Sequence, residues 1–183
     1  MRKLNAIVTP LIFLLFLVHL IWGSLMLLGV VKGGSLFFSV ISYVMMGLVV
    51  VHILIGIKLT VDTLQAQKKS KVSYPGANRL FWIRRISGFA LVLFMVAHVV
   101  LFSAGERNGA PILKNFSAFA LVTQLLMVVS LLLHLITNIR PLKIALGIED
   151  RKDLKTDVMI ILGVSLLLSA IAFLIYFFRW SVL

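Results

Sequence analysis

The chain contains no cysteine, and its 183 residues include only six acidic side chains. Without thiols it can form no disulfide, ligate no iron–sulfur cluster through thiolates, and attach no haem covalently through a Cys-x-x-Cys-His motif. The acids are missing where they would count most inside a membrane, since none lies in any of the long apolar runs described below. A proton-coupled transporter needs a titratable relay within its bundle, and a zinc or di-iron cluster often recruits a carboxylate, so both readings lose their chemistry. Charge of either sign is scarce, at 13% of residues against about 25% in soluble domains.

Hydrophobic residues make up 61% of the chain. They fall in runs of about 20, the length of a helix that crosses a bilayer. We expect an all-α integral membrane protein, a single membrane domain over residues 1–183, with five transmembrane helices at about 6–31, 36–57, 86–103, 116–139 and 158–178. A signal peptide would have a shorter apolar core and a small-residue cleavage site, so the first run reads as a membrane span. Pro10 falls in its first turns, where a missing N–H costs least. Lys32-Gly33-Gly34 reads as a tight turn and Lys58 as the end of the second span. Residues 58–85 read as the longest loop, with Tyr74-Pro75-Gly76 as a turn signal. Gly105 to Pro111 carries the marks of another turn. The fifth span has no histidine, and its Gly163, Ser165 and Ser169 suit close helix packing.

A net charge of +12 raises the question of nucleic acid. The basic residues, however, cluster between the apolar runs, which is how topology is encoded. Lys and Arg number 14 in the N-terminal segment and the second and fourth loops, against 4 in the first loop, the third loop and the C-terminal segment. The expectation is a multi-pass protein of the cell (inner) membrane with its N-terminus cytoplasmic, its C-terminus outside and no nucleic-acid partner. Trp82 near the inner face, and Tyr176 and Trp180 near the outer one, stand where interfacial aromatics belong.

The four histidines, His19, His52, His98 and His134, fall one on each of the first four spans. A rise of 1.5 Å per residue places His19 ~24 Å from Lys3 and His98 ~20 Å from Arg85, but His52 only ~9 Å from Lys58 and His134 ~9 Å from Arg140. The first and third spans thus carry a histidine beyond the midplane, and the second and fourth carry one near the inner face. Two pairs at two levels suit two stacked haems, each iron taking an axial imidazole from either side. Neutral imidazole also avoids burying a charge. Gly23 and Ser24 after His19, Gly47 and Gly56 around His52, and Ser87 and Gly88 at the start of the third span are small enough to admit a flat ring, and equally to admit another helix.

Arg85-Ile86-Ser87-Gly88, leading into an apolar run that reaches His98, resembles the cytochrome b membrane subunits of succinate dehydrogenases and fumarate reductases. His134-Leu135-Ile136-Thr137-Asn138-Ile139-Arg140 looks like that family's histidine followed by Asn-Gly-Ile-Arg, with Asn138 standing where the glycine would be. The resemblance spans nearly the whole chain and is closest to the single-subunit, di-haem version, whose first four helices form the haem-binding bundle. It implies two haem b groups, the distal one on His19 and His98 and the proximal one on His52 and His134. It also implies a quinone, menaquinone, as electron-exchange partner, and flavoprotein and iron–sulfur subunits on the inner face, where the dicarboxylate chemistry takes place.

Other di-haem cytochromes b, such as those of formate dehydrogenases and hydrogenases, spread their histidines similarly, and a haem-free anchor is the bland alternative. Some family members carry a membrane glutamate beside the fourth histidine; Leu132 and Leu133 precede His134 here. Haem propionates at the inner level need cationic partners, for which Arg84, Arg85, Arg140 and Lys143 are in reach. On the distal side Trp22, Ser24 and Tyr43 are the candidates for a quinone pocket.

Overall fold

Inside hydrocarbon every backbone N–H and C=O has to be paired within the chain, so the apolar runs have little choice but to coil. The computed structural model describes the chain apart from residues 72–74, 103–105, 108–109, 112–115, 148–151 and 182–183. Five helices result: α1 (Arg2–Leu27), α2 (Leu36–Ser70), α3 (Pro75–Phe102), α4 (Ala118–Ala145) and α5 (Lys152–Ser181). A two-residue antiparallel ladder, β1 (Glu106–Arg107) with β2 (Ala110–Pro111), lies between α3 and α4. All five helices are long and apolar enough to cross a membrane, and the chain is an all-α, multi-pass membrane protein.

The ends of the helices differ from the ends of the apolar runs. α2 does not stop at Lys58 but continues to Ser70, and α3 begins at Pro75, so most of the loop expected over 58–85 is helical. Loss of apolar character marks where the lipid ends, and a helix of Lys, Leu, Gln and Ala is content in water. Lys58 pairs with Asp62 one turn on at 3.4 Å, and Lys68 and Lys69 face the negative end of the helix dipole. Lys71 closes α2 at φ 53°. Pro75, expected in a turn, instead opens α3, where its fixed φ and missing N–H are an asset; Tyr74 lies outside the described residues. α1 ends at Leu27, short of Val31, and α4 runs past Ile139 through Pro141 to Ala145.

The helices assemble as two hairpins, α1 with α2 and α3 with α4, and α5 packs on both α1 and α4. Among the described residues α2 makes no close backbone approach to α3, α4 or α5. The densest packing is where the ends of α1, α3 and α5 meet the start of α4, around Phe116, Ala120, Phe173 and Tyr176. Tyr176, expected as an interfacial anchor, is 5% exposed in this cluster because its ring meets Phe116 edge-on at 5.2 Å. Trp82 is half exposed, and the side chain of Trp180 lies outside the described residues.

The same end of the bundle is tied by a backbone lock. Gly29 turns α1 at φ +76°, and the Arg179 guanidinium of α5 donates to the Leu28 carbonyl at 3.0 Å. A Cβ on Gly29 would stand 3.1 Å from Arg179 Nη1, in a backbone region that costs an L-residue about 1–2 kcal/mol. Gly29→Ala is therefore expected to destabilise the protein in detergent by about that amount, read from its thermal unfolding. Gly23→Ala, which meets nothing within 4 Å, is expected to leave it unchanged or slightly firmer.

Candidate cofactor-binding site

Each histidine projects from one hairpin toward a histidine of the other. His19 of α1 lies with its ring centroid 6.1 Å from that of His98 on α3, and His52 of α2 lies 6.3 Å from His134 of α4. The ring planes cross at 68° and 89°. A metal–nitrogen bond of about 2 Å to each ring, plus about 1 Å from that nitrogen to the ring centre, sets two imidazoles on opposite sides of one metal about 6 Å apart. Among the described residues no group of three or more His, Asp or Glu side chains converges to hold a metal ion. Each pair therefore offers two imidazoles, the donor set of a bis-histidine haem iron and not that of a tetrahedral zinc site.

The hydrogen-bond directions fix which ring nitrogen is available. The Ser42 hydroxyl donates to the Phe38 carbonyl at 2.9 Å, so its only hydrogen is used and its oxygen can only accept from His19 Nδ1, 3.1 Å away. The Ser87 hydroxyl donates to the Arg84 carbonyl at 3.2 Å and faces His134 Nδ1 at 3.5 Å. On α4 the Thr123 hydroxyl donates to the Ala120 carbonyl at 2.7 Å and accepts from Gln124 Nε2 at 3.3 Å. This orients the Gln124 amide, and its Oε1 meets His98 Nδ1 at 2.7 Å. Three rings thus carry their hydrogen on Nδ1 and keep the Nε2 lone pair for a ligand, the arrangement expected of metal-binding histidines. His52 Nδ1 is buried without a hydrogen-bond partner.

Proline chemistry shapes the surroundings of His134. Pro141 has no N–H, so the Thr137 carbonyl four residues earlier loses its helical partner. Arg84 Nε fills that vacancy at 2.8 Å, bringing α3 onto α4 beside His134. Gly88 then lies so close that a Cβ there would stand 3.1 Å from His134 Cε1 and 3.2 Å from Nδ1. Asn138 Nδ2 donates to the His134 carbonyl at 2.7 Å. Around the His19–His98 pair the aromatic surround includes Phe38, stacked on His19 at 5.2 Å, and Phe102, 4.8 Å from His98. α5, which has no histidine, contributes Phe173 at 6.5 Å from His98.

The remaining candidates divide. Arg85 lies near His52 and His134, sits over Phe81 at 5.1 Å, and has its Nε buried without a hydrogen-bond partner. Arg84 has committed its Nε to Thr137. Arg140 is exposed, and Lys143 is half-buried in the last turn of α4. Trp22 stacks on Phe38 at 6.3 Å with its Nε1 buried and without a hydrogen-bond partner, which brings it to the edge of the His19–His98 pair. Tyr43 is 76% exposed, and Ser24 lies in the last turn of α1, where its carbonyl accepts from Leu28. Gln124, Ser42 and Pro141 were not singled out from sequence. The readable signals were a glutamine within a run of apolar residues, and a proline four positions beyond Thr137.

Residues 65–172 match the family model of the succinate dehydrogenase/fumarate reductase transmembrane subunit. The match takes in α3, α4 and most of α5, and hence His98 and His134, one member of each pair. No curated protein and no solved structure matches the chain.

The hydrogen-bond directions are open to nitrogen-15 NMR on histidine-labelled protein. Nδ1 of His19, His98 and His134 is expected to give the signal of a protonated, hydrogen-bonded nitrogen. A His98 ring protonated on Nε2 instead would contradict the Gln124 geometry.

Proposed function

Because the chain belongs to the succinate dehydrogenase/fumarate reductase transmembrane-subunit family, we propose that it is a di-haem cytochrome b that carries electrons between a membrane quinone and a soluble dehydrogenase or reductase on the inner face. The observation that supports the two-haem reading is the pair of ring separations, 6.1 and 6.3 Å, each across the two hairpins and at two levels. Each pair would hold one haem iron through its two imidazoles. When bound, haem b supplies one-electron iron chemistry at the two levels.

The chain's own residues do the holding. His19 and His98 serve the distal haem, and His52 and His134 the proximal one. Ser42, Gln124 and Ser87 accept the Nδ1 hydrogens, which keeps the rings neutral and their Nε2 lone pairs available. Arg85 is the inner-level cation best placed for a propionate, since its Nε is buried and unpartnered beside the proximal pair. Arg84 has its Nε engaged on Thr137, leaving Arg140 and Lys143 as secondary candidates at the inner end of α4.

Trp22, at the aromatic edge of the outer pair, is the strongest of the three candidates for the quinone, which we take to be menaquinone; Ser24 and Tyr43 carry less. The apolar surround of Phe38, Phe102 and Phe173 excludes water from the outer imidazoles. With 14 of the 18 Lys and Arg residues at the inner end, the N-terminus is cytoplasmic, and flavoprotein and iron–sulfur subunits dock there. Oxidation or reduction of the dicarboxylate belongs to those partners, and so does the iron–sulfur relay, since this chain has no cysteine to hold a cluster.

A reduced-minus-oxidised visible spectrum of the purified protein is expected to show b-type haem. His19→Ala and His98→Ala should each abolish the same haem, and His52→Ala and His134→Ala the other. Mixed losses would refute the pairing, and a wild-type protein with no b-type signal would refute the electron-transfer reading. Gly88→Val, whose side chain collides with the His134 ring, should weaken retention of the proximal haem alone, by about 10–100-fold.

A further inference from the structure

The four imidazoles differ in how firmly their Nδ1 is held. His98 meets an amide oxygen at 2.7 Å, His19 a hydroxyl at 3.1 Å, His134 a hydroxyl at 3.5 Å, and His52 nothing. The His98 partner is also the most completely enclosed. Gln124 is 0% exposed, and both ends of its amide are engaged, Nε2 on Thr123 and Oε1 on His98. The side chains preceding and following it on α4 include Leu121, Val122, Leu125 and Leu126, any of which an apolar interior would accept more readily than an amide. The Thr123 hydroxyl, committed to the Ala120 carbonyl, dictates the amide orientation. The Gln124 oxygen therefore faces the ring whatever the ring binds on its other side.

We infer that Gln124 is a positioning residue for His98, fixing its tautomer and lowering the reduction potential of the haem that His19 and His98 carry. The inference rests on the di-haem reading above and deepens it. An imidazole that donates Nδ1–H to a good acceptor is a stronger donor through Nε2 and stabilises ferric more than ferrous iron. In the proximal pair His134 has no amide oxygen comparable to that of Gln124, its Ser87 contact being 3.5 Å long, and His52 Nδ1 has no partner, so the effect is strongest at the His19–His98 pair. The tuning is written into α4, the helix that also carries His134 of the other pair. The ring it acts on belongs to α3.

The test is a redox titration of the two haem signals in the assembled wild-type complex and in the Gln124→Met and Gln124→Glu variants. Gln124→Met keeps the volume and removes the acceptor. It is expected to raise the potential of the haem that His98→Ala abolishes by about tenfold in its reduced-to-oxidised ratio, about 59 mV for one electron, and to leave the other haem unmoved. Gln124→Glu keeps an acceptor and is expected to hold that potential at or below the wild-type value.

A purely structural role would loosen α3 against α4 in both variants and raise the potential in both, or in both haems together. Either result overturns the inference, as do two unmoved potentials. If Gln124→Met fails to assemble, Gln124→Glu carries the test alone, and a potential above wild type overturns it. A wild-type complex with no b-type haem would overturn the parent reading and this inference with it, whereas two haems with unmoved potentials would overturn this inference alone.

Discussion

A polar atom in the interior of a lipid-embedded bundle has no water to fall back on, and leaving it unpaired costs several kcal/mol. The histidine pairs, the serines around them and the Thr137 carbonyl all answer to that constraint. Each Ser42, Ser87 and Thr123 hydroxyl has one hydrogen, and each gives it to a backbone carbonyl of its own helix. Their oxygens are left as acceptors, which settles the direction of every bond that reaches them. The tautomers of His19, His98 and His134 follow from this accounting without reference to any cofactor. Around the two pairs, the accounting leaves Nδ1 of His52 and Nε of Arg85 buried without a hydrogen-bond partner.

The same constraint explains why the surroundings of His134 are built on a proline. Within a membrane helix a proline is tolerated where something else satisfies the carbonyl it strands. Here Arg84 does so, and in doing so it fixes how α3 lies along α4. Ser87 and Gly88 are one turn further along α3, so the bond to Thr137 also delivers the hydroxyl that receives His134 Nδ1 and the bare backbone that admits its ring. Four features read separately in the sequence, the paired arginines, Ser-Gly, the histidine and Pro141, are thus parts of one contact between two helices.

Hydropathy was enough to read the five spans, because a bilayer-long apolar run has to coil, and the histidines were legible as one on each of the first four helices, which the structure sets close in pairs. The extent of α2 was not legible in this way. Its apolar run ends at Ile57, but Lys58 to Ser70 is a sequence that coils as readily outside the lipid as inside, and hydropathy reports the solvent and not the backbone. Gln124 was hidden for a different reason. Its partner is 26 residues away on another helix, and no local periodicity relates the two. Tyr176 carried an interfacial signature but lies in the packed cluster with Phe116, since an aromatic near a helix end satisfies either role and only the neighbours decide.

The family match and the packing together place a structural demand on α5. The matched residues 65–172 carry His98 and His134, whereas His19 and His52 come from the N-terminal hairpin. Both pairs are therefore split across the junction between that hairpin and the rest. Among the described residues α2 makes no close backbone contact with α3, α4 or α5, and α1 meets α4 only narrowly. The separations of 6.1 and 6.3 Å must then be held largely through α5, which packs on α1 on one side and on α4 on the other. Its Arg179 clasps the end of α1, and its Phe173 stands beside His98. The helix without a histidine is the one that keeps the four histidines in register.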